Sequence, residues 1–70
     1  MILKELRIKN NLTQKQLSEK TGIPKRTIED YESGIRKLTK ASAENVYRLT
    51  DVLGISMDDF MIRIIEEEKI

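Results

Sequence analysis

The sequence contains no cysteine and no histidine among its 70 residues. Without cysteine, neither a disulfide nor a thiolate zinc site can compensate for the modest core that a chain of this length buries. Without histidine, the chain lacks the residue that most often serves as a general base or a metal ligand. Hydrophobic residues make up 39% of the chain and charged residues 36%. This balance is typical of a compact soluble protein, so we expect one domain with no metal and no cofactor.

Long hydrophobic runs are also absent. The N-terminus carries a charge as early as Lys4, and no later segment has the length and apolar character of a signal peptide or a transmembrane helix. We therefore expect a cytoplasmic protein without a membrane partner.

The formal net charge is only +1, but the charges are unevenly distributed. Residues 1–40 carry ten Lys or Arg against five Asp or Glu, a balance of +5, whereas residues 41–70 carry three against seven, a balance of −4. Because salt screens charges beyond about 10 Å, attraction to phosphate depends on the local surface and not on the total. The asymmetry suits a protein that docks on nucleic acid with one side, although small helical proteins also show such asymmetry by accident.

Proline and glycine are few, and they divide the chain into helical segments. The single proline, Pro24, suits the first position of a helix, and the three glycines suit helix ends. Thr13 with Gln16 forms the pattern of a capping box. The sequence predicts an all-α fold, a compact five-helix bundle with no strand. The predicted helices cover about residues 2–9, 13–21, 24–32, 42–53 and 56–65.

The fifth predicted helix begins after Ser56, with two aspartates in its first turn. Its apolar stripe, which is expected to belong to the core, consists of Met57, Phe60, Met61, Ile64 and Ile65. Residues 1–65 are then the folded domain, and residues 66–70 are a short acidic C-terminal tail that is expected to be frayed and solvated.

The segment from Thr13 to Gly34 meets the spacing requirements of two helices joined by a tight turn. The second and third helices approach closely at Ser18, where a small side chain is needed, and Gly22 supplies a turn conformation with positive φ. Three apolar residues close the small core between these helices, and the positions at 24–26 and 29–30, which are polar or proline, are expected to face away from it. The three apolar residues are Leu17, Ile23 and Ile28.

This segment resembles the helix-turn-helix family of phage repressor and Cro proteins. The residues that carry the resemblance are Thr13-Gln14, Leu17-Ser18, Gly22, the run from Ile28 to Gly34, and the junction Leu53-Gly54-Ile55-Ser56 with Phe60. The similarity covers about residues 2–65 and implies a lambda-repressor-like DNA-binding domain with the motif at helices 2 and 3. One departure is the loop at Arg36-Lys37-Leu38, where many members carry a proline.

The resemblance implies that the start of the third helix reaches base edges in a DNA major groove. The matching base-contacting residues are Lys25 and Arg26, with Glu29 or Asp30 one turn later. Arginine and lysine pair with guanine O6 and N7, and a carboxylate accepts from cytosine N4, so we expect G·C pairs in the site. The alternative for Glu29 and Asp30 is a solvated helix face, or charges that repel DNA of the wrong sequence through its phosphates.

Matching positions also imply contacts with the phosphate backbone, which position the protein without reading sequence. The expected phosphate-contacting residues are Gln14, Thr27, Arg36, Lys37 and Lys40. The alternative is that Gln14 is only a polar residue at a helix start and that the basic loop is solvated. In relatives the residue at Gln14 also braces the recognition helix. Arg7 and Glu32 match a structural salt bridge that ties this helix to the first one.

The fifth helix is expected to carry a dimer contact at Ile62 and Ile65, because Ile62 lies off the core face and Ile65 near the same edge; the alternative for Ile62 is a harmless exposed apolar residue. A dimer is expected because one recognition helix reads only half of a useful site. We therefore predict a double-stranded-DNA-binding transcriptional regulator, most consistent with a repressor, that acts on a two-fold-symmetric operator as a weak or DNA-assisted homodimer. The alternative is a protein-interaction module, antitoxin-like or a partner subunit, that reuses the fold. A regulatory protein partner is compatible with either interpretation.

An enzyme is not expected. The chain has no histidine, no cysteine, no glycine-rich phosphate loop and no cluster with metal-ligand spacing. The paired acids at Asp58-Asp59 and in the run 66–68 are explained by helix capping and solvation.

Overall fold

A computed structural model describes residues 1–69, and Ile70, the last residue of the predicted tail, lies outside the described residues. It contains five α-helices and one short 3₁₀ turn, and the described residues include no strand, which confirms the all-α five-helix prediction. Among residues 1–69, no helix combines the length and apolar character needed to cross a membrane. The helices are α1 Ile2–Lys9, α2 Gln14–Thr21, α3 Lys25–Ser33, α4 Ala43–Leu53 and α5 Met57–Glu68, with the 3₁₀ turn at Leu38–Lys40.

The helix boundaries follow the capping signals in the sequence. The backbone N–H of Gln16 donates to Thr13 Oγ1 at 3.0 Å, and the Gln16 side chain accepts from the Thr13 N–H at 2.9 Å, which completes the capping box at the start of α2. Ser42 and Ser56 accept in the same way at the starts of α4 and α5. After α1, Asn11 takes the left-handed conformation with φ 58°. Local signals therefore fix where most helices begin and end.

The start of α3 differs from the prediction by one residue. Pro24 has φ −55° and ψ 140°, which is extended backbone, so it precedes the helix as the N-cap and does not form its first turn. Its carbonyl accepts from the N–H groups of Thr27 at 2.9 Å and Ile28 at 3.2 Å. The first residue inside the helix is Lys25.

The core lies where all five helices and the 3₁₀ turn meet. Leu38, which the sequence places in a basic loop, is 3% exposed and anchors the 3₁₀ turn in this core. Removing apolar surface from water is the main stabilising contribution in a domain without disulfides. The buried apolar residues are Ile2, Leu3, Leu17, Ile23, Ile28, Tyr31, Leu38, Val46, Leu49, Leu53, Phe60 and Ile64.

The buried stripe of α5 is narrower than predicted. Phe60 and Ile64 are fully buried and Met61 packs against the core. Met57 and Ile65, however, are 37% and 45% exposed, so their assignment to the core was wrong. This helix packs on α1, α4 and the 3₁₀ turn through one narrow face. Met57 and Ile65 lie at the margins of that face and remain in contact with water.

The end of α5 also differs from the prediction. The helix continues to Glu68, so residues 66–68 are not a frayed tail. The Glu68 carboxylate accepts from the Thr39 hydroxyl at 2.5 Å and from the Thr39 N–H at 3.3 Å. This contact gives the last helical turn a partner in the 3₁₀ turn, 29 residues away in the sequence.

The turn between α2 and α3 is fixed by hydrogen bonds from side chains of α2 and α4. Gly22 has φ 75°, and Ser18 Oγ donates to the Ile23 carbonyl at 2.6 Å across the turn. Thr21 Oγ1 donates to the Leu17 carbonyl and accepts from the Ile23 N–H. From α4, Arg48 Nη1 donates to the Thr21 carbonyl at 3.3 Å. The angle between the two helices is therefore set by several local hydrogen bonds as well as by packing.

Substituting Gly22 by alanine tests the contact between α4 and this turn. A Cβ at Gly22 would lie 3.0 Å from Arg48 Nη1, whereas a Cβ at Gly54, with a similar φ of 72°, meets nothing within 4 Å. We expect Gly54→Ala to cost roughly 1–2 kcal/mol from backbone strain alone. Gly22→Ala should cost about 1 kcal/mol more, because it displaces the Arg48 hydrogen bond.

Thermal or urea unfolding of the two variants measures this difference. It should vanish in an Arg48→Ala background, where the arginine is no longer displaced. Equal losses of stability in the original background would show that Arg48 does not brace the turn.

Candidate nucleic-acid interface

Positively charged side chains cover the exposed side of the start of α3. Lys25 and Arg26 follow the Pro24 cap directly, and their side chains are 54% and 82% exposed. Glu29 lies one turn later and is 42% exposed, with its carboxylate 3.6 Å from Lys25 Nζ. This i,i+4 pair lies at the surface, where such pairs contribute only a few tenths of a kcal/mol, about 0.3–0.5. Lys25 is therefore easily released to another acceptor.

Asp30 does not lie on this exposed surface. It is one of the few buried polar residues in the described part of the chain, at 7% exposure. Oδ1 accepts from Arg26 Nε at 3.3 Å, and Oδ2 accepts from Arg36 Nε at 3.2 Å. The expectation that position 30 faces away from the protein was wrong, because two arginine side chains lie over the carboxylate.

The segment after α3 places three cationic side chains beside the helix. Its backbone is ordered, since the Arg36 N–H donates to the Asp30 carbonyl at 3.1 Å, the Lys40 N–H donates to the Lys37 carbonyl at 3.0 Å, and Leu38 is buried. The side chains of Arg36, Lys37 and Lys40 are all exposed. The segment therefore presents these charges from an ordered backbone that ends in the 3₁₀ turn at Leu38–Lys40.

A buried ion pair links α3 to α1. Arg7 Nε and Nη2 donate to the two carboxylate oxygens of Glu32 at 2.8 and 3.0 Å, and Arg7 Nη1 donates to the Leu12 carbonyl at 2.9 Å. The two side chains are only 12% and 6% exposed. Hydrogen bonding to Glu32 raises the pKa of the Arg7 guanidinium above its ordinary value, against the opposing effect of burial. The pair joins the end of α3 to α1 and to the segment before α2.

Gln14 extends this cluster into α2. Its Nε2 donates to Glu32 Oε1 at 3.1 Å, and its side chain is partly buried. Thr27 is likewise partly buried on α3. The bracing role that the resemblance implies for Gln14 therefore corresponds to a contact with the end of the recognition helix.

Tyr31 connects α3 to α4. The ring is buried at 5% exposure, and its hydroxyl accepts from Asn45 Nδ2 at 3.0 Å. Together with Glu32, this residue holds the C-terminal half of α3 from two sides, whereas Lys25 and Arg26 at its start are exposed.

The predicted dimer residues lie on α5. Ile62 is 59% exposed and Ile65 is 45% exposed. Both are available to a partner, and neither belongs to the group of cationic side chains around α3.

Sequence reasoning missed two of these arrangements. The i,i+4 spacing of Arg26 and Asp30 is a signal for an ion pair, but it does not reveal that Arg36 shares the same carboxylate. The contact between Glu68 and Thr39 has no local signal at all, because only the folded chain brings the two residues together.

Comparison with known families gives one match. A family model described as helix-turn-helix matches residues 3–60, which is most of the chain. The chain belongs to the helix-turn-helix family of phage repressors and Cro. Comparisons with curated proteins and with solved structures find no match.

As a member of this helix-turn-helix family, the chain carries a DNA-binding domain of the transcription-regulator type. The family is regulatory and not typically enzymatic. Double-stranded DNA is the partner that the match supports, and the exposed cationic surface around α3 is the part of the structure with the matching charge.

Replacing Arg7 by alanine should destabilise the fold as well as weaken DNA binding. The change leaves the Glu32 carboxylate buried without its main partner, which costs about 3 kcal/mol and lowers the Tm by about 10 °C or more. Because the pKa of Arg7 is shifted upward, the contribution of its charge is complete at every pH below the ordinary arginine pKa, so the loss should appear at neutral pH.

Calorimetry and a DNA-binding titration check this expectation, with Lys9→Ala as the matched control. Lys9 is an exposed cation on the same helix, and its loss should change stability by about 0.5 kcal/mol or less. A Tm for Arg7→Ala equal to that of the control would contradict the anchoring role.

Proposed function

We propose that the protein is a sequence-specific transcriptional repressor that inserts the N-terminal half of α3 into the major groove of a two-fold-symmetric operator. The observation that carries this proposal is the grouping of exposed cationic side chains. Lys25 and Arg26 project from the start of α3, and three further cations follow on a segment whose backbone is hydrogen-bonded to that helix. Charge on an ordered backbone suits docking at a defined register on DNA.

Lys25 and Arg26 are the proposed base-contacting residues. Each is exposed, and each offers donors to the O6 and N7 acceptors of guanine. Glu29 either accepts from cytosine N4 or remains a solvated partner of Lys25. We no longer propose a base contact for Asp30, because both of its carboxylate oxygens accept from arginines and the side chain is nearly buried.

The phosphate contacts that we propose lie on both sides of α3. On the α2 side they are made by Gln14, and on the other side by the cations of the segment that follows α3; Thr27 lies between them on the helix. Since each neutralised phosphate releases counterions, these contacts supply affinity that falls with salt. The proposed phosphate-contacting residues are Gln14, Thr27, Arg36, Lys37 and Lys40.

A homodimer completes the proposed operator complex. A single α3 reads about half of a useful site, and paired half-sites require two copies of the motif. Ile62 and Ile65 are exposed apolar residues on α5, and we propose that they contribute to the contact between subunits. Occupying an operator in this way blocks access of other proteins to the same DNA.

A second candidate is a protein-interaction module. It is favoured by further large apolar side chains on the surface, in particular Ile35 at 73% and Tyr47 at 59% exposure. The cationic surface around α3 argues for DNA, because a pure interaction module has no need of charges that match a phosphate backbone.

Selection of bound duplexes from a random-sequence library tests the proposed function directly. We expect a two-fold-symmetric motif with G·C pairs, and half-sites separated by about ten base pairs, one turn of DNA. Affinity for the selected duplex should fall with salt with a slope of about −3 for each subunit, given the three cationic phosphate contacts at Arg36, Lys37 and Lys40. Lys37→Gln should reduce this slope by about one without changing the selected sequence.

Two results would count against the proposal. Enrichment of purely A·T half-sites would contradict the assignment of Lys25 and Arg26 to guanine. A failure to enrich any sequence above the random background would favour the interaction module.

Substitution of Ile62 by serine tests the dimer. If Ile62 lies at the subunit contact, the variant should lose cooperative binding to paired half-sites and keep its affinity for a single half-site. Tyr47→Ser is the matched control, because Tyr47 is exposed to the same 59% on a different helix. Analytical ultracentrifugation with and without the selected duplex measures the assembly, and a wild-type monomer under both conditions at high concentration would refute it.

A further inference from the structure

Asp30 is a buried carboxylate shared by two arginines that are themselves exposed. The Asp30 side chain is 10% exposed, whereas the side chains of Arg26 and Arg36 are 82% and 61% exposed. One arginine belongs to the proposed base contacts and the other to the proposed phosphate contacts. Asp30 is therefore hydrogen-bonded both to a proposed base-contacting residue and to a proposed phosphate-contacting residue.

The carboxylate holds each arginine at the same atom. In both pairs the donor is Nε, at 3.3 Å for Arg26 and 3.2 Å for Arg36. Within residues 1–69, the terminal Nη1 and Nη2 groups of these two arginines make no hydrogen bond to the protein. A guanidinium that is fixed at Nε still presents two parallel donors at its end, which is the geometry for a bidentate contact with guanine O6 and N7.

We propose that Asp30 is a specificity-determining positioning residue, which orients Arg26 and Arg36 and lowers their attraction for DNA of the wrong sequence. The proposal rests on the proposed function and deepens it. Asp30 touches no base in this arrangement and acts only through the two arginines.

Orientation favours the correct sequence. An unrestrained arginine adopts many rotamers and loses that freedom when it binds, which reduces affinity. Because Asp30 already fixes Nε, Arg26 has less freedom to lose on meeting guanine. A phosphate oxygen elsewhere on the surface gains nothing from this fixed direction.

The charge of Asp30 acts against non-specific binding. A carboxylate next to two guanidinium groups neutralises part of the charge that would otherwise attract any phosphate. To bind backbone phosphate in another direction, either arginine must first leave Asp30. Removing the Asp30 charge should therefore strengthen binding to random DNA and weaken discrimination, two changes of opposite direction.

A purely structural role predicts a different pattern. If Asp30 served only to stabilise α3, its loss would lower affinity for every duplex by a similar factor. The ratio of specific to non-specific affinity, together with the salt slope, separates the two roles.

The experiment compares Asp30→Asn with the wild-type chain on the library-selected duplex and on a random-sequence duplex of equal length, each over a range of salt concentrations. Asp51→Asn is the matched control, because it makes the same chemical change at an exposed residue of α4. For Asp30→Asn we expect several-fold tighter binding to random duplex, with a salt slope steeper by up to about two. The preference for the selected duplex should fall about tenfold, and the control should change each affinity by less than about twofold.

A second measurement needs no variant. Hydrogen exchange of the arginine Nε–H groups, followed by NMR in the wild-type protein without DNA, should be slower for Arg26 and Arg36 than for exposed Arg63. Equal exchange at all three arginines would overturn the proposal, even if Asp30→Asn failed to fold.

The remaining outcomes separate this inference from the proposed function. A wild-type chain that selects a sequence, with Asp30→Asn weaker by the same factor on both duplexes, would overturn the role of Asp30 alone. A wild-type chain that selects no sequence would overturn the operator function and, with it, the specificity role of Asp30.

Discussion

The orientation of the recognition helix depends on the buried ion pair between Arg7 and Glu32. A charge pair this well shielded from water is stable only with further hydrogen bonds, and here each Arg7 nitrogen and each Glu32 carboxylate oxygen has a partner, with Gln14 and the Leu12 carbonyl completing the set. Through these bonds α3 is connected to α1, to the start of α2 and to the segment between them. Loss of either charge would leave its partner buried, so the cluster forms or fails as a unit.

The other contacts of α3 fix its C-terminal end and leave the side chains at its N-terminal end exposed. At the C-terminal end of α3, Tyr31 is hydrogen-bonded to α4 and Glu32 is paired with Arg7 of α1. At the N-terminal end, the side chains of Lys25 and Arg26 extend into solvent. At the exposed end, Arg26 is oriented by its hydrogen bond to Asp30.

Much of the fold follows from local signals, and the site follows only in part. The caps at Thr13 and Ser56 and the turn at Gly22 are local features, so the sequence predicts the helices to within about a residue, except at the end of α5. The outward position expected for Asp30 was wrong, because its burial depends on Arg36, which periodicity within α3 cannot include. The Met57 and Ile65 assignments failed for a related reason: helical spacing gives the apolar face of α5 but not how much of that face its neighbours cover.

The hydrogen bonds between Thr39 and Glu68 link the end of α5 to the cationic segment after α3. If subunits associate through α5, any ordering of its last turn also steadies the Thr39 backbone beside Lys37 and Lys40. Association of subunits and binding of phosphate would then be thermodynamically coupled, so that each would raise the affinity of the other by the same factor. In such an arrangement, the concentration of the protein itself becomes an input to how tightly it holds DNA.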